Sequence, residues 1–349
     1  MTSQTQQLRA AMLRALTLAA NGPAGVNPRV GCVVVGPDGA VVGEGWHDGA
    51  GTPHAEVGAL AQAGARAIGG TAIVTLEPCD HTGRTGPCSA ALVGAGVVRV
   101  VYGRPDDHRP AAGGAARLAA AGVEATLTED GDLRARCAAL VADWAAAREL
   151  GRPLVTWKLA TSLDGRVAAV DGTSRWITSA AARADAHRLR AQHDTVLVGT
   201  GTVLTDDPAL TVRDTGARPT RQRPLRAVMG LRDLPPSSQL ARAERQGQSV
   251  LHLRTREPKD ALQQLWDADR RQVLLEGGPT VAAAFWRAGL VDRVVAYVAP
   301  ALLGAGWAGV GDLGITTIDD AARLRLDDVT RVGPDVRLTL TPHPDEGTD

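Results

Sequence analysis

The chain has 349 residues, which is long for one hydrophobic core and favours two domains of ordinary size. Its 38 lysines and arginines balance its 38 aspartates and glutamates, so it offers no broad basic field to a nucleic-acid backbone. Aromatic residues are scarce, at seven Trp, two Tyr and one Phe, so a small polar substrate fits this composition better than stacked bases do.

The N-terminal segment, residues 1–21, carries its arginines within an amphipathic helical pattern, whereas a signal peptide has a charged head followed by an apolar run. No stretch approaches the roughly 18 apolar residues of a membrane span. We therefore expect a cytoplasmic protein with reduced thiols. In that compartment the neighbouring Cys79 and Cys88 favour a metal or catalytic site, whereas Cys32 and Cys137 suit small buried apolar positions.

The first half alternates predicted helices and strands, which is typical of an α/β layer sandwich. A glycine-proline turn at 36–39 joins two of the strands in a hairpin. The last helix is alanine-rich and ends at Gly151 and Pro153. In chain order the elements are helix 8–20, strands 30–35 and 40–46, helix 54–64, strand 71–75, helix 88–94, strand 97–102, helix 111–121 and helix 133–150.

The pattern restarts after the Gly151–Pro153 turn, so we assign residues 1–150 to one domain and 151–343 to another. Residues 213–224 and 231–248 are expected to form exposed loops. Disorder is expected from Pro342 onward, with 344–349 as a tail. The predicted strands are 154–159, 195–198, 225–229, 249–253, 272–275, 293–299 and 336–340, and the predicted helices are 180–192, 260–269 and 280–288.

Four residues carry the strongest functional signal: His54, Glu56, Cys79 and Cys88. One imidazole and two thiolates supply three of the four tetrahedral positions of Zn²⁺ and leave the fourth for water, which the metal converts to hydroxide near neutral pH. Glu56 lies close enough to His54 to carry a proton to the leaving amine without being a ligand. Buried structural thiols are the alternative. The pattern predicts a zinc-dependent hydrolytic deaminase.

The positions of these residues support the same prediction. His54 and Cys88 each open a predicted helix, where free N–H groups and the positive helix end favour a thiolate. The spacing differs from the common zinc-deaminase signature, which has two residues between its cysteines, because eight residues, 80–87, separate them here.

Two glycine-containing turns in the second half carry weaker signals. The turn at 199–201 begins like a dinucleotide-binding fingerprint, but Leu204 occupies the position of the third glycine. The turn at 276–280, Glu-Gly-Gly-Pro-Thr, joins a strand to a helix whose N-terminus suits a phosphate. An ordinary strand-to-helix turn is the alternative.

Three stretches around the metal motif resemble the bacterial bifunctional riboflavin-biosynthesis deaminase/reductase family: Asn-Pro-Arg-Val-Gly-Cys at 27–32, His-Ala-Glu at 54–56, and Thr-Leu-Glu-Pro-Cys-Asp-His-Thr-Gly-Arg-Thr-Gly-Pro-Cys at 75–88. That family uses the eight-residue cysteine spacing. The resemblance implies a cytidine-deaminase-like α/β/α sandwich, with His54, Cys79 and Cys88 as zinc ligands and Glu56 as proton shuttle.

The same resemblance implies a set of substrate contacts in the first domain. Asn27 would contact the pyrimidine, and His81 and Arg84 would lie near the ribose phosphate. The chemistry agrees for Arg84, since an arginine in a glycine-flanked loop is able to grip a phosphate bidentately. A solvated surface arginine is the alternative.

The second half resembles the reductase domain of that family at 158–165, 174–179, 202–213 and 276–280. The resemblance implies a dihydrofolate-reductase-like α/β fold and NADPH as cofactor. Residues that would contact NADPH are Thr161, Trp176, Thr202, Asp206, Gly278, Pro279, Thr280, Val281, Ala282, Ala283 and Ala284. Residues that would contact substrate are Ser174, Arg190, Leu210, Arg213 and Glu276. Lys158, Asp206 and Glu276 are the ionisable groups that we place nearest the hydride transfer, and a simple Lys158–Glu276 ion pair is the alternative.

Two stretches depart from the family's usual pattern. An Asp-Pro-Asn-Pro-like stretch is replaced by Asp-Asp-His-Arg-Pro at 106–110, which changes the expected contacts to ribose. An Asp-Ser pair after strand 225–229 is replaced by Gly230-Leu231, which predicts the loss of one cofactor hydrogen bond.

These observations predict deamination of 2,5-diamino-6-(5-phosphoribosylamino)pyrimidin-4-one in the first domain, followed by NADPH-dependent reduction of the ribosyl group to ribityl in the second. The partner is a small phosphoribosyl aminopyrimidine rather than nucleic acid or membrane, and the family implies a homo-oligomer. Alternatives are a secondary-metabolism paralogue acting on a related aminopyrimidine and a nucleic-acid base deaminase with an accessory module. A non-catalytic relative is disfavoured, because every zinc-binding and proton-transfer group is present.

Overall fold

The computed structural model describes residues 3–82, 86–108, 111–213 and 223–343. The chain divides into two compact units, Met1–Ala145 and Ala146–Asp349. This division falls inside a helix, Gly131–Leu150, rather than at the turn that follows it. The functional boundary after residue 150 therefore stays a prediction, and the predicted tail 344–349 lies outside the described residues.

The first unit alternates helices and strands along the chain. In order, it contains α1 (Ser3–Ala19), β1 (Gly31–Val35), β2 (Val41–Trp46), α2 (Ala55–Ala63), a 3₁₀ turn (Gly64–Ala67), β3 (Thr71–Val74), α3 (Cys88–Gly94), β4 (Arg99–Tyr102), α4 (Gly114–Ala120), β5 (Glu124–Leu127) and α5 (Gly131–Leu150). The sheet has the strand order β2-β1-β3-β4-β5. Strand β1 is antiparallel to both neighbours, and β3, β4 and β5 run parallel.

Helices cover both faces of this sheet. Successive side chains of a strand point to opposite faces, so Cys32 packs in a cluster with Ala59 of α2 while Val33 packs in a second cluster with Met12 of α1. Cys137 of α5 lies fully buried in that second cluster. The predicted α/β/α sandwich and the apolar role of Cys32 and Cys137 are thus confirmed.

Helix α2 rests directly on β2 because the strand carries glycine at the contact. A Cβ atom at Gly45 would lie 2.2 Å from the carbonyl oxygen of Ala55. No side chain fits that gap, so the first turn of α2 is held against the sheet at a fixed height. This contact positions His54, which caps the helix.

The second unit contains a larger sheet. Its elements are β6 (Leu154–Ser162), β7 (Arg166–Ala168), α6 (Ala180–Ala191), β8 (Thr195–Gly199), α7 (Thr200–Asp206), β9 (Leu225–Met229), α8 (Gln239–Arg245), β10 (Val250–Leu253), α9 (Pro258–Asp267), β11 (Gln272–Leu275), α10 (Pro279–Arg287), β12 (Arg293–Ala299), β13 (Trp307–Ala308), β14 (Leu324–Val332) and β15 (Asp335–Pro342). The main sheet has the order β10-β9-β8-β11-β6-β12-β15-β14, and β7 pairs with β13. The six strands β10, β9, β8, β11, β6 and β12 run parallel to one another. Strands β15 and β14 continue the sheet beyond β12 in antiparallel pairs.

Apolar clusters lie on both faces of the parallel part. Helices α9 and α10 cover one face, where Leu265 and Phe285 are fully buried. Helix α8 lies on the other, with Leu240 packed against Val196 and Val228. The carboxyl ends of the parallel strands form one edge, which is where ligands bind in α/β sheets of this kind.

Several sequence predictions were wrong in this unit. The segment expected to be a loop at 231–248 contains α8, because Ser238 accepts a hydrogen bond from the Ala241 N–H and the helix buries Leu240. The predicted start of disorder at Pro342 is wrong, since β15 reaches that residue. Strand β14 was missed because its charged, mostly exposed residues lack an apolar alternation. Most of the predicted loop 213–224 lies outside the described residues.

Within the described ranges, no helix combines the length and the apolarity needed to cross a membrane.

The first unit provides a test of domain independence. A fragment of residues 1–150 should fold and deaminate alone, because α5 supplies Leu133 and Cys137 to the core that α1 forms against the sheet. A matched fragment ending at residue 130 lacks that helix and should be insoluble. Circular dichroism and ammonia release measure the two outcomes. An insoluble 1–150 fragment beside a stable full chain would reject the boundary.

Candidate active sites

Two helices and one loop bring His54, Cys79 and Cys88 together in the first unit. His54 caps α2, Cys88 is the first residue of α3, and Cys79 lies in the loop after β3. The His54 Nδ1 atom is 3.2 Å from Cys88 Sγ and 3.5 Å from Cys79 Sγ, and all three atoms lie within 4.8 Å of one another. Zinc bonds of about 2.0–2.3 Å place tetrahedral ligands roughly 3.3–3.8 Å apart. The donor set and its spacing therefore fit a zinc ion with one position left for water.

Hydrogen bonds fix the loop of Cys79 against the helix of Cys88. The Ser89 N–H donates to the Cys79 carbonyl at 3.2 Å, and the Ser89 hydroxyl donates to Asp80 at 2.5 Å. The hydrogen bond from Cys88, assisted by His54, lowers the pKa of Cys79 to about 4. The same bond and burial raise the pKa of Cys88. A dication bound between the two sulfurs would replace the proton that they share.

Glu56 lies beside this site in the first turn of α2. Its side chain is buried, with the residue only 3% exposed, and contacts the Cys88 thiol. Burial raises the pKa of Glu56 to about 7. A carboxyl group with this pKa exchanges a proton readily near neutral pH, which is what a proton shuttle requires.

Asn27 is held by a residue that the sequence analysis missed. The Asn27 amide contacts His47 Nε2 at 2.9 Å, and His47 Nδ1 contacts the Pro53 carbonyl at 3.2 Å. The His47 and His54 rings meet edge to face, with centroids 5.3 Å apart. His47 thus connects the predicted pyrimidine contact to the metal site. Its only sequence signal was its place at the end of a strand.

The predicted phosphate contacts are described only in part. Arg84 lies outside the described residues, as do residues 109 and 110 of the divergent stretch. His81 lies just before that gap, with its Nδ1 atom buried and without a hydrogen-bond partner among the described residues. Glu77 accepts the Asp106 N–H at 3.1 Å, so the divergent loop is fastened close to Cys79.

The second unit contains a cleft of about 610 Å³ at the carboxyl ends of the parallel strands. The turn after β11 and the N-terminus of α10 line it, and the phosphate site expected at this turn stays a prediction. The predicted site residues that line it are Lys158, Ser174, Thr202, Asp206, Glu276, Gly278, Pro279, Thr280, Val281 and Ala284.

A buried ion pair underlies one wall of this cleft. Glu276 accepts two hydrogen bonds from Arg190, at 2.5 and 2.9 Å, and lies 3.8 Å from Lys158 Nζ. Burial raises the pKa of Glu276, but Arg190 and Lys158 outweigh that effect and lower it to about 2. Glu276 is therefore an anion at neutral pH rather than a proton donor. The simple Lys158–Glu276 pair is part of a larger arrangement in which Arg190 is the closer partner.

The remaining described residues that were predicted to contact a ligand in this half do not line the cleft. The side chains of Leu210, Ala282 and Ala283 are buried with the core. Thr161 is buried in β6. Trp176 is exposed, and the Arg183 guanidinium carbon lies 4.3 Å from the centroid of the Trp176 ring. Arg190 faces Glu276, and Arg213 is exposed beside Thr211.

Sequence reasoning also missed lining residues. Arg232, Arg256 and Trp307 belong to the cleft wall, and all three are exposed. Arg232 and Arg256 follow predicted strand ends, which was the available signal. Nothing in the sequence placed Trp307, because β13 is only two residues long.

Together these features define a class of protein: a zinc-dependent deaminase joined in one chain to a nucleotide-dependent reductase. Two family models match the corresponding parts of the chain. The cytidine and deoxycytidylate deaminase zinc-binding region matches residues 5–104, and the RibD C-terminal domain matches residues 153–338.

The chain is similar to known proteins over nearly its whole length. The riboflavin biosynthesis protein RibD of Mycobacterium tuberculosis is 49% identical over 90% of both chains, and that of Escherichia coli is 40% identical over 94% of this chain and 98% of the other. The solved structure of Acinetobacter baumannii RibD has a TM-score of 0.84 and 38% identity, and covers 97% of this chain and 100% of its own. A Thermotoga maritima diaminohydroxyphosphoribosylaminopyrimidine deaminase/5-amino-6-(5-phosphoribosylamino)uracil reductase has a TM-score of 0.81 at 28% identity, with 97% and 100% coverage.

The chain belongs to the RibD family of riboflavin-biosynthesis enzymes. It is a bifunctional enzyme, a zinc-dependent hydrolase in its N-terminal half and an NADPH-dependent oxidoreductase of dihydrofolate-reductase-like fold in its C-terminal half. The predicted fold class, activity and cofactors are confirmed.

Proposed function

We propose that the first unit deaminates 2,5-diamino-6-(5-phosphoribosylamino)pyrimidin-4-one, with His54, Cys79 and Cys88 holding zinc. The main support is that these three donor atoms lie within 4.8 Å of one another, beside the buried carboxyl group of Glu56. Zinc supplies a Lewis acid that makes water nucleophilic near neutral pH. Asn27, held by His47, orients the pyrimidine ring. Arg84 and His81 stay our predicted contacts to the ribose phosphate.

Glu56 moves the proton in this proposal. Its carboxylate accepts a proton from the attacking water and then delivers it to the departing amino group, so that ammonia leaves and a carbonyl remains. The buried setting keeps bulk water from competing for that proton. No other carboxyl group of the described residues combines this burial with a contact to a zinc ligand.

The second unit reduces the deaminated product in the cleft at the strand ends. NADPH supplies hydride to C1′ of the sugar. Lys158 lines the cleft and in this proposal donates a proton to the ring oxygen as the ribose opens, while Glu276, itself bound by Arg190, holds the ammonium group in position. The N-terminus of α10, with Gly278 as its cap, suits the cofactor diphosphate. We further propose a cytoplasmic location, in keeping with four free thiols. A homo-oligomer stays the expectation that the family resemblance implies.

Metal content and product mass test the deaminase assignment. The purified protein should carry close to one zinc per chain and should form the deaminated product without NADPH and the reduced product with it. Cys88→Ser should lose zinc and both products, because two ligands hold the metal far less tightly than three. Cys137→Ala removes a buried thiol outside the site and should keep zinc. Zinc retained by Cys88→Ser would reject the ligand assignment.

A further inference from the structure

Two arginines stand at one end of the reductase cleft. Arg232 follows β9 and Arg256 follows β10, and both line the cleft wall. Both are exposed, and within the described ranges neither has an ion pair or a hydrogen bond. Their neighbour Arg254 differs, because it pairs with Asp233 at 2.6 Å. The cleft therefore presents two cations that the protein itself leaves unneutralised.

The sheet order separates these arginines from the reacting end. Lys158 lies on β6 and Glu276 directly follows β11, whereas the arginines follow β9 and β10. Adjacent strands are about 4.8 Å apart, so the three to four strand spacings from β6 put Lys158 roughly 14–19 Å from the arginines. That span suits an extended dinucleotide whose reacting ring lies at one end and whose adenosine lies at the other. The N-terminus of α10 lies between them.

The divergent Gly230 leaves the end of β9 without a side chain at this position. Its φ is +141°, and a Cβ atom would lie 2.6 Å from Thr200 Oγ1. No side chain fits at this position, so the side-chain hydrogen bond expected from the family pattern is lost. The Gly230 carbonyl instead contacts His252 Nε2 at 2.8 Å, which fixes the turn that leads to Arg232.

We propose that Arg232 and Arg256 bind the 2′-phosphate of NADPH and thereby set the preference of this enzyme for NADPH over NADH. The proposal rests on NADPH binding in this cleft, as described above. Guanidinium groups bind a phosphate through paired, charge-assisted hydrogen bonds. The 2′-hydroxyl of NADH offers no charge, so it leaves both arginines without a counterion.

Calorimetric binding to the full-length protein tests this directly. The probes are adenosine 2′,5′-bisphosphate and adenosine 5′-monophosphate, which differ only in the 2′-phosphate. Arg232→Ala and Arg256→Ala should each lower the affinity for the bisphosphate by about tenfold, and the double variant should lower it by about fiftyfold. The affinity for the monophosphate should stay almost unchanged. The wild-type preference should shrink as salt rises, because both groups are exposed.

Arg254→Ala is the matched control, since it removes an equal charge from the same strand end that is already paired with Asp233. It should bind both probes like wild type. Three results would each overturn the proposal. The first is an equal loss of affinity for both probes in the arginine variants, and the second is a double variant that binds the bisphosphate as tightly as wild type. The third is that Arg254→Ala weakens bisphosphate binding as much as the other two substitutions do. A wild-type protein that prefers neither probe would overturn the placement of NADPH in the cleft as well. Circular dichroism and melting temperature establish that the variants fold.

Discussion

Glu56→Gln should retain zinc and lose deamination by a factor of about 10² to 10⁴. The three predicted ligands are untouched by this change, and the amide has nearly the shape of the carboxyl group. What the variant loses is a group that accepts a proton from water and passes it to the amine. Because the carboxyl group is buried and its pKa is raised to about 7 by burial, a neutral amide fits the same site without a charge to desolvate. Ammonia release and metal analysis measure the two properties separately.

The control for this variant is Glu124→Gln, which makes the same change at an exposed glutamate that faces Arg99 at 3.4 Å. Its deamination and zinc content should match wild type. Ammonia release near the wild-type rate in Glu56→Gln would remove Glu56 from the mechanism. Loss of zinc in that variant would instead make the carboxyl group part of the metal site.

Glu276→Gln should lower NADPH oxidation with the deaminated substrate by about 10²-fold or more, with NADPH binding and deamination near normal. The physical reason is the buried charge network. With the anion removed, Arg190 keeps its charge in a buried position and Lys158 loses the group 3.8 Å from its ammonium. Breaking a buried pair in this way costs about 3–5 kcal/mol, so the melting temperature of the second unit should fall by roughly 10 °C.

A second substitution separates chemistry from stability in this network. Lys158→Gln keeps the buried Arg190–Glu276 pair and removes only the Lys158 ammonium from the cleft. It should lose reduction to a similar extent while its melting temperature stays within a few degrees of wild type. Reduction at the wild-type rate in both variants would reject the roles of Lys158 and Glu276. Joint loss of reduction and deamination in Glu276→Gln would indicate misfolding.

The metal site is the part that local sequence describes best. His54 and Glu56 are two residues apart on one helix turn, and Cys88 opens another helix, so local pattern fixes their relation to those helices. The α/β/α layering was predictable for the same reason, because strand alternation decides which face each residue covers. The partner of Asn27 was not predictable, since His47 approaches it from another strand end.

In the reductase cleft, by contrast, contacts between distant segments decide more of the site than local sequence does. Its position at the strand ends followed from the alternating pattern, but the network around Glu276 did not. Arg190 comes from α6 and Lys158 from β6, and only the packing of α6 and the order of strands bring both to the same carboxylate. The sequence also placed Leu210, Ala282 and Ala283 among the ligand contacts, whereas their side chains complete the core.

The sequence by itself therefore determined the layered architecture, the chemistry of the zinc ligands, and the glycine turn that opens α10. These depend on residue type and on spacings of a few positions along one chain segment. The tertiary structure alone decided that Glu276 is a paired anion rather than a free carboxylate, and that Arg232 and Arg256 share one cleft wall. Such contacts join segments far apart in the chain, and their distances depend on strand order and helix packing, which local periodicity does not specify.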